Sequence, residues 1–493
     1  MKSLPERFDI LIVGAGPAGI TAAIRLLELG HTVGLIEQAV FPRQQIGESL
    51  SPGIRNIFAY LGADELLNDD SYLNHIPARV HWDTEAPAYI GAEQRGPGII
   101  VDRGLLDQQL LAFAQGKGLH VFQPAKLVSS FYDEGVWKLN MKTGPFLRTI
   151  YSNVVLDARG RKGSQLHERL ETAPASVAIW TQVPAEIMPK ESRIEAIGDG
   201  WFWGSPVAGN QYRVMAFTDA DAVKGKNLSS HFSKMLGKAG LFGPVNGPLE
   251  GNGLQTCPVT SFVHTQPWDR QFIKIGEAAF TLDPLSSTGV EKAMRFAMQT
   301  AVAVHTLLRY GESVVAQAFY EEKLIESAVN HAHWTAAYYS SSRFSKEHCS
   351  FWDKRINFQL NDLKVANEFT QCFHRKFNQQ PPVYEAKKPP AIPVNPLMDY
   401  LWNKPVRLSP RLVYSNEFAV TGDRVEMKQA VNHPNLEKPV IYLNEIELNP
   451  LLSQLPEGIT YGGLIENWNQ SLAMEDTKKI VTFLWSHAIF ISD

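Results

Sequence analysis

Residues 9–14, DILIVG, form a continuous apolar run of strand length, the pattern of a parallel strand buried on both faces. Residues 18–29, AGITAAIRLLEL, then place apolar side chains at helical spacing, and Gly30 follows as the C-terminal stop. HTVGLIE reads as a second strand, so the chain opens on a strand–helix–strand unit. Further on, DRGLLDQQLLAFAQGKG has helical spacing, and residues 120–157 read as several short strands ending at another tight turn. Residues 173–218 and 251–265 are strand-rich and aromatic, whereas 289–345 are helical in pattern. A proline-dense stretch at 381–405 predicts an extended linker or wrapping arm. Beyond it, EFAVTGDRVEMKQAV and KPVIYLNEIEL are strand-like, and two helices follow, one starting after the cap residue Thr460 and one near EDTKKIVTFLWSHAIF.

Composition narrows the class. The chain has 493 residues, 44% hydrophobic and 20% charged, enough for a large core. A net charge of -4 lacks the basic footprint of a nucleic-acid binder. Cys257, Cys349 and Cys372 lie far apart and make no CxxC pair, so no disulfide framework and no metal site is predicted, and reduced thiols suit a cytoplasmic protein. The N-terminus shows no signal-peptide pattern. The apolar run Ile10–Ile24 is broken by Gly14, Gly16, Pro17 and Gly19, which suits a turn between strand and helix better than a membrane span.

That turn, Gly14-Ala15-Gly16-Pro17-Ala18-Gly19, fits G-x-G-x-x-G. Its glycines permit a tight turn and close approach of backbone to a pyrophosphate at the helix N-terminus. Glu37, at the end of the second strand, stands where an acid accepts ribose hydroxyls. The candidate dinucleotide residues are therefore Gly14, Gly16, Ala18, Gly19 and Glu37. Three later segments, VDRGLLD (101–107), LDARGRKGS (156–164) and IGEAAFTLDP (275–284), resemble in order and spacing the motifs of FAD monooxygenases of the p-hydroxybenzoate hydroxylase type. The resemblance covers residues 1 to about 345. It implies FAD, a Rossmann-like α/β domain with an interleaved antiparallel substrate sheet, and cofactor contacts from Arg103, Asp157, Gly276 and Glu277. Glu277 replaces the usual aspartate, with a carboxylate one methylene further out. Pro284 stiffens the turn beside the ring, and the N–H groups near Thr288, Gly289 and Val290 can stabilise negative charge on a reduced flavin. A plain helix cap would account for the serines and threonine of DPLSSTG but not for the GEAA element before it.

Two further stretches resemble flavin halogenases. FPRQQIGESLSP (41–52) is similar to their GES segment, with Arg43 placed toward the cofactor, and GWFWGSP (200–206) is similar to their GWxWxIP signature. The alternation of Trp201 and Trp203 puts both rings on one strand face, as core or as pocket wall. Halogenases of this type carry a lysine a few tens of residues after the GES segment, yet no lysine occurs between Lys2 and Lys117. The matching region LNHIPARVHW offers His75 and Arg79, and a permanently charged guanidinium cannot act as an amine does. Tryptophan halogenases also carry a glutamate where this chain has Ser286 in DPLSSTG. The turn residues Pro284, Ser286, Ser287, Thr288 and Gly289 then line the reacting edge, with Glu48, His75, Arg79, Trp201 and Trp203 expected around the substrate.

The combination of IGEAAFTLDPLSSTGVEKAM, NHAHWTAAYYSSSRF, FWDKR and NPLLSQLPEGITYGGLIENW resembles flavoproteins of tryptophylquinone cofactor biogenesis. That resemblance implies a monooxygenase acting on a tryptophan side chain of a protein or peptide. The alternatives are a flavin-dependent halogenase and a non-catalytic flavin-bearing maturation protein. No second strand–GxGxxG–helix unit is present, so reduction by a flavin reductase or by transient NAD(P)H contact are both open. His331 and His333 stand two apart and do not share a helix face, which speaks against a metal. The expected organisation is an FAD-binding core over 1–375, a proline-rich linker over 376–410 and a small α+β module over 411–493, similar to a winged helix.

Overall fold

The computed structural model describes residues 6–96, 98–245, 253–360, 365–379 and 401–491. The chain divides into two compact units, Met1–Gln379 and Gln380–Asp493. In the first, β1 (Arg7–Val13), α1 (Pro17–Glu28) and β2 (Val33–Ile36) form the opening unit, with β1 and β2 parallel and Val13 opposite Ile36. Gly30 takes a φ of +84° directly after α1, the left-handed stop that glycine supplies without a Cβ clash. Next come β3 (Ala78–His81), α2 (Arg103–Gly116), β4 (His120–Phe122) and β5 (Phe146–Asp157). β4 pairs parallel with β2 and β5 parallel with β1, so Val13 and Asp157 lie side by side at one sheet end. The carboxyl ends of these strands form the crevice where open α/β sheets bind ligands.

Strands β6 (Ser176–Pro184), β7 (Ser192–Ile197), β8 (Gly200–Val207), β9 (Gln211–Asp219) and β10 (Gln255–Pro258) build a second sheet. Its order is β10-β6-β9-β8-β7-β3, with residues 88–90 outermost. β11 (Phe272–Lys274) returns to the first sheet and pairs parallel with β5. Two long helices follow, α3 (Gly289–Tyr310) and α4 (Ser313–Ser340), then α5 (Ser350–Ile356). The single helical pattern expected over 289–345 is broken at Gly311, whose φ of +74° ends α3.

The second sheet is covered on both faces. On one lie Ile179, Phe202, Tyr212, Val214 and Ala216, packed with Phe232 and Phe242. On the other lie Ala178, Trp201, Trp203, Met215 and Phe217, packed with Leu285, Tyr339 and Trp352. The second face matters for function because Leu285 belongs to the DPLSSTG turn.

Both described ends of the stretch expected as a linker, 376–410, carry secondary structure. A helix spanning Glu368–Asn378 continues into it, capped by Asn367, which accepts the Thr370 N–H at 2.8 Å, and held by buried Phe369 and Phe373. At the other end, Arg407–Leu408 is a strand paired with Phe490–Ile491. Residues 380–400 of that stretch lie outside the described residues. In the second unit, a long hairpin joins β12 (Val413–Thr421) to β13 (Arg424–Asn432). KPVIYLNEIEL, expected as one strand, folds back on itself. Asn444 and Glu445 have φ of 48° and 63°, and Tyr442–Leu443 pairs with Ile446–Glu447. Thr460 caps α6 (Tyr461–Trp468) by accepting the Gly463 N–H at 3.2 Å, and α7 (Met474–Ser486) follows. Leu464, Ile465, Trp468, Ile480 and Leu484 of these helices share a core with Val431. Among the described residues, no helix is long and apolar enough to cross a membrane, and no cluster of three or more His, Cys, Asp or Glu could hold a metal ion.

Candidate active site

The first requirement of a dinucleotide site is bare backbone. Gly14 has φ +109°, and a Cβ there would sit 2.5 Å from the Ala158 carbonyl oxygen. A Cβ on Gly19 would sit 2.1 Å from the Gly14 carbonyl oxygen. Both positions therefore exclude every side chain, and the turn leaves a cradle at the N-terminus of α1. No side chain caps that helix, and Pro17 at its start has no N–H to satisfy. Glu37 is buried at the end of β2, accepting the Ala15 N–H at 2.8 Å and the Ala39 N–H at 2.7 Å. The acid thus holds the glycine turn itself.

Arg43 reaches over the same turn, with Nη2 3.5 Å from the Ala15 carbonyl. It shares Asp107 with Arg103. Arg103 makes a forked pair to Asp107 at 3.1 and 3.2 Å, and Arg43 lies 3.7 Å from it. Burial raises the Asp107 pKa and the two arginines oppose the rise. Arg103 also donates to the Ile46 carbonyl at 3.2 Å, tying α2 to the GES segment. The i,i+4 spacing of Arg103 and Asp107 is the signal in the sequence from which this clamp can be read.

Two more turns meet here. Asp157 is fully buried, bonded by Arg159 at 2.8 and 2.7 Å and by Lys274 at 3.0 Å. Burial alone would raise its pKa, but Arg159 and Lys274 hold it below the ordinary carboxylate range. These contacts hold the Asp157 carboxylate within the turn that follows β5. Gly276 has φ +57°, and a Cβ there would lie 2.8 Å from the Cβ of Ala18. The GEAA element is thereby seated on the start of α1. Glu277 is half-exposed beside Arg161 at 3.4 Å.

The Asp283–Gly289 turn is built in layers. Asp283 caps the Leu285 N–H at 3.0 Å, Ser287 takes a left-handed φ of 51°, and Ser286 Oγ meets Thr288 Oγ1 at 2.7 Å. α3 begins at Gly289 with no side chain over its first N–H groups, which include Val290. α4 grips the turn from behind. His331 donates to the Asp283 carbonyl at 3.2 Å, and the Tyr339 hydroxyl contacts the Asp283 carboxylate at 3.1 and 3.2 Å. Burial and the nearby Lys292 lower the His331 pKa to about 4, so its ring is neutral near pH 7. Trp201 Nε1–H donates to Tyr339 Oη at 3.2 Å. The second histidine, His333, instead bonds the Phe377 carbonyl, so the two histidines do diverge.

Strand register sorts the substrate candidates. Trp180, Met215, Trp203, Ile194 and Val80 are successive partners across β6, β9, β8, β7 and β3, so they share the face that carries Leu285. Trp203 is 8% exposed on this face. Trp201 is 2% exposed, stacked on Phe217 at 3.9 Å and edge-on to Trp82. Through Tyr339 it is linked to the Asp283–Gly289 turn. Arg79 pairs in register with Arg193 on the opposite face and binds Glu191 at 2.9 Å. His75 is exposed, with a left-handed φ of 56°. Glu48 is buried and accepts from Arg213 Nη2 at 2.5 Å. Arg213, Tyr339 and Trp180 were not singled out from sequence.

A family model described as tryptophan halogenase matches residues 9–69 and 85–387, most of the chain. A tryptophan 2-halogenase from Chondromyces crocatus is 29% identical over 64% of this chain, which spans 65% of that protein's length. A flavin-dependent halogenase from Armillaria mellea, armH4, is 27% identical over 66% of this chain and 70% of its own length. A putative FAD-dependent oxidoreductase, LodB, from Marinomonas mediterranea is 25% identical over 61% of this chain and 85% of its own length. Two solved structures share the fold: the peptidyl tryptophan dihydroxylase QhpG and the flavin-dependent halogenase CmlS. QhpG has 20% identity and a TM-score of 0.72, covering 98% of this chain and 99% of its own. CmlS has 22% identity and a TM-score of 0.72, covering 99% and 96%. The glycine cradle, the Glu37 and Asp107 anchors and the uncapped start of α3 fit FAD, which is the cofactor of this group. The chain belongs to the tryptophan halogenase family and is an FAD-dependent oxidoreductase.

Proposed function

We propose that this enzyme is an FAD-dependent monooxygenase that hydroxylates an electron-rich aromatic ring, in particular a tryptophan side chain carried by a protein or peptide. The observation that carries the reading is the stretch after the GES segment. It holds no lysine, and the family match breaks over residues 70–84, the same stretch. Ser286, hydrogen-bonded to Thr288, stands in the turn where tryptophan halogenases carry glutamate. When bound and reduced, FAD would supply the two electrons with which one atom of O2 enters the ring and the other, with two protons, leaves as water. The chain's residues bind and orient. The Trp203–Met215–Trp180 face receives the ring, the Asp283–Gly289 turn fixes the cofactor edge against it, and the enclosing aromatic cluster keeps water out. The likeness to QhpG, a peptidyl tryptophan dihydroxylase, supports a peptide-borne tryptophan, and reducing equivalents then come from a flavin reductase or NAD(P)H. The test is to supply the FAD-loaded protein with reductant, O2 and tryptophan-containing peptides and to read mass. Gain of one or two oxygen atoms on tryptophan is expected, and no gain on any aromatic residue sinks the reading.

A halogenase reading falls on Lys292. This ammonium is half-buried at the first turn of α3, and burial lowers its pKa while the neighbouring Glu291 opposes the shift. Bromide-dependent incorporation of bromine, lost in Lys292→Met, would establish it.

A further inference from the structure

The face that receives the ring is apolar in its middle and polar at one end. Moving along the strands by one same-face step from Trp203, Met215 and Trp180 gives Ser205, Arg213 and Gln182, again direct partners of one another. Ser205 Oγ lies 3.0 Å from Ser192 Oγ, which accepts from Arg95 Nη1 at 2.9 Å. The largest group at this end is the Arg213 guanidinium. Its side chain and that of Glu48 are each 7% exposed, with Nη2 donating to Glu48 Oε1 at 2.5 Å. Its Cζ lies 4.1 Å from the ring centre of Trp180, which fixes the plane of the fork. Yet Nε and Nη1 of Arg213, both screened from solvent, meet no acceptor among the described residues. A buried N–H without an acceptor is destabilising, and arginine places its donors in a rigid fork.

The Glu48 segment is also anchored to the cofactor side. Ser51 hydrogen-bonds Glu291 in the first turn of α3, and Arg103 holds the Ile46 carbonyl. The unpartnered fork is therefore built into the same wall as the reacting edge.

We propose that Arg213 recognises a substrate carbonyl oxygen, that of an amide flanking the aromatic ring. The charge balance selects the class. Glu48 already neutralises Arg213 in a buried setting, so a substrate carboxylate would add a second anion to one cation in low dielectric. A neutral carbonyl adds no charge and takes a charge-assisted hydrogen bond. The inference rests on the reading that an aromatic ring lies against Trp203 and Met215, and it extends that reading from ring to peptide.

The test is calorimetric titration of the FAD-loaded full chain with three probes that carry the same indole. N-acetyl-tryptophan methylamide has amide carbonyls, 3-methylindole has none, and indole-3-propionate has a carboxylate. The capped tryptophan should bind about 10-fold or more tighter than 3-methylindole, equivalent to about 1.4 kcal/mol. Arg213→Lys keeps the charge opposite Glu48 but loses the planar fork, and should reduce that ratio to below about 2-fold. The double variant Glu48→Gln/Arg213→Met removes both charges together, so no lone buried ion is left to unfold the protein, and should do the same. Equal binding of the first two probes overturns the inference, as does a ratio that survives both variants. Tightest binding of indole-3-propionate overturns it in favour of a carboxylate receptor, and so does the absence of measurable binding by all three. Discrimination that holds while no oxygen reaches any peptide would remove the hydroxylation reading and leave the carbonyl site standing.

Discussion

Tyr339→Phe isolates the contribution of one hydroxyl to the flavin-edge turn. That hydroxyl accepts Trp201 Nε1–H at 3.2 Å and contacts the buried Asp283 carboxylate at 3.1 Å. The ring itself stays packed against Phe351 and Trp352, so the substitution removes two hydrogen bonds and almost no apolar burial. A bond to a carboxylate contributes about 1.5–3 kcal/mol and a neutral one about 1 kcal/mol, so the expected loss is about 3 kcal/mol. Burial already raises the Asp283 pKa, and withdrawing a partner moves it further in that direction. Urea unfolding of the FAD-loaded protein reads the loss. A cycle with Trp201→Phe should return a coupling of about 1 kcal/mol, since the two residues share one of the two bonds. The absorbance of bound flavin should shift as well, because Pro284, Leu285 and Ser286 follow directly on Asp283. A stability change below about 0.5 kcal/mol with an unchanged flavin spectrum would refute the claim that α4 sets this turn.

Two further outcomes are expected. Gly19→Ala forces a Cβ to within 2.1 Å of the Gly14 carbonyl, so α1 must shift and FAD affinity, followed by flavin fluorescence, should fall about 10-fold or more; unchanged affinity would contradict the cradle. His331 has its pKa lowered from 6.5 to about 4, so the unfolded chain binds that proton first, and stability is full above the unfolded pKa and lost as pH falls from there toward the folded value. At about 1.4 kcal/mol per unit the ceiling of this effect is about 3 kcal/mol, and His331→Asn, which keeps a donor for the Asp283 carbonyl, should show a flatter stability curve between about pH 6.5 and 4; parallel curves would dismiss the assignment.

The parts legible in sequence are those decided by neighbours along the chain. A tight turn that must bring backbone to a phosphate needs glycine at set spacings, and Gly14 and Gly19 sit where any Cβ would strike a carbonyl. The same holds for Gly30 after α1 and for Thr460 before α6, whose roles are local caps. The lysine-free stretch after the GES segment is likewise a property of the sequence alone.

The pocket was not legible in this way. Alternation along a strand says which residues share a face but not which face the cofactor side receives. Arg79 and Val80 are adjacent, yet register sends Arg79 to Glu191 and Val80 toward the turn. Trp201 and Trp203 share a face, but Tyr339, on a helix 138 residues later, claims only the first. Glu48 and Arg213 are 165 residues apart, and nothing local marks either as the other's partner. The sequence determined the cofactor and its turns because steric demands on a turn act between neighbouring peptide units. The tertiary structure alone decided the wall proposed to receive the substrate, because strand register and helix packing choose which distant side chains share a buried surface and which charges must neutralise each other there.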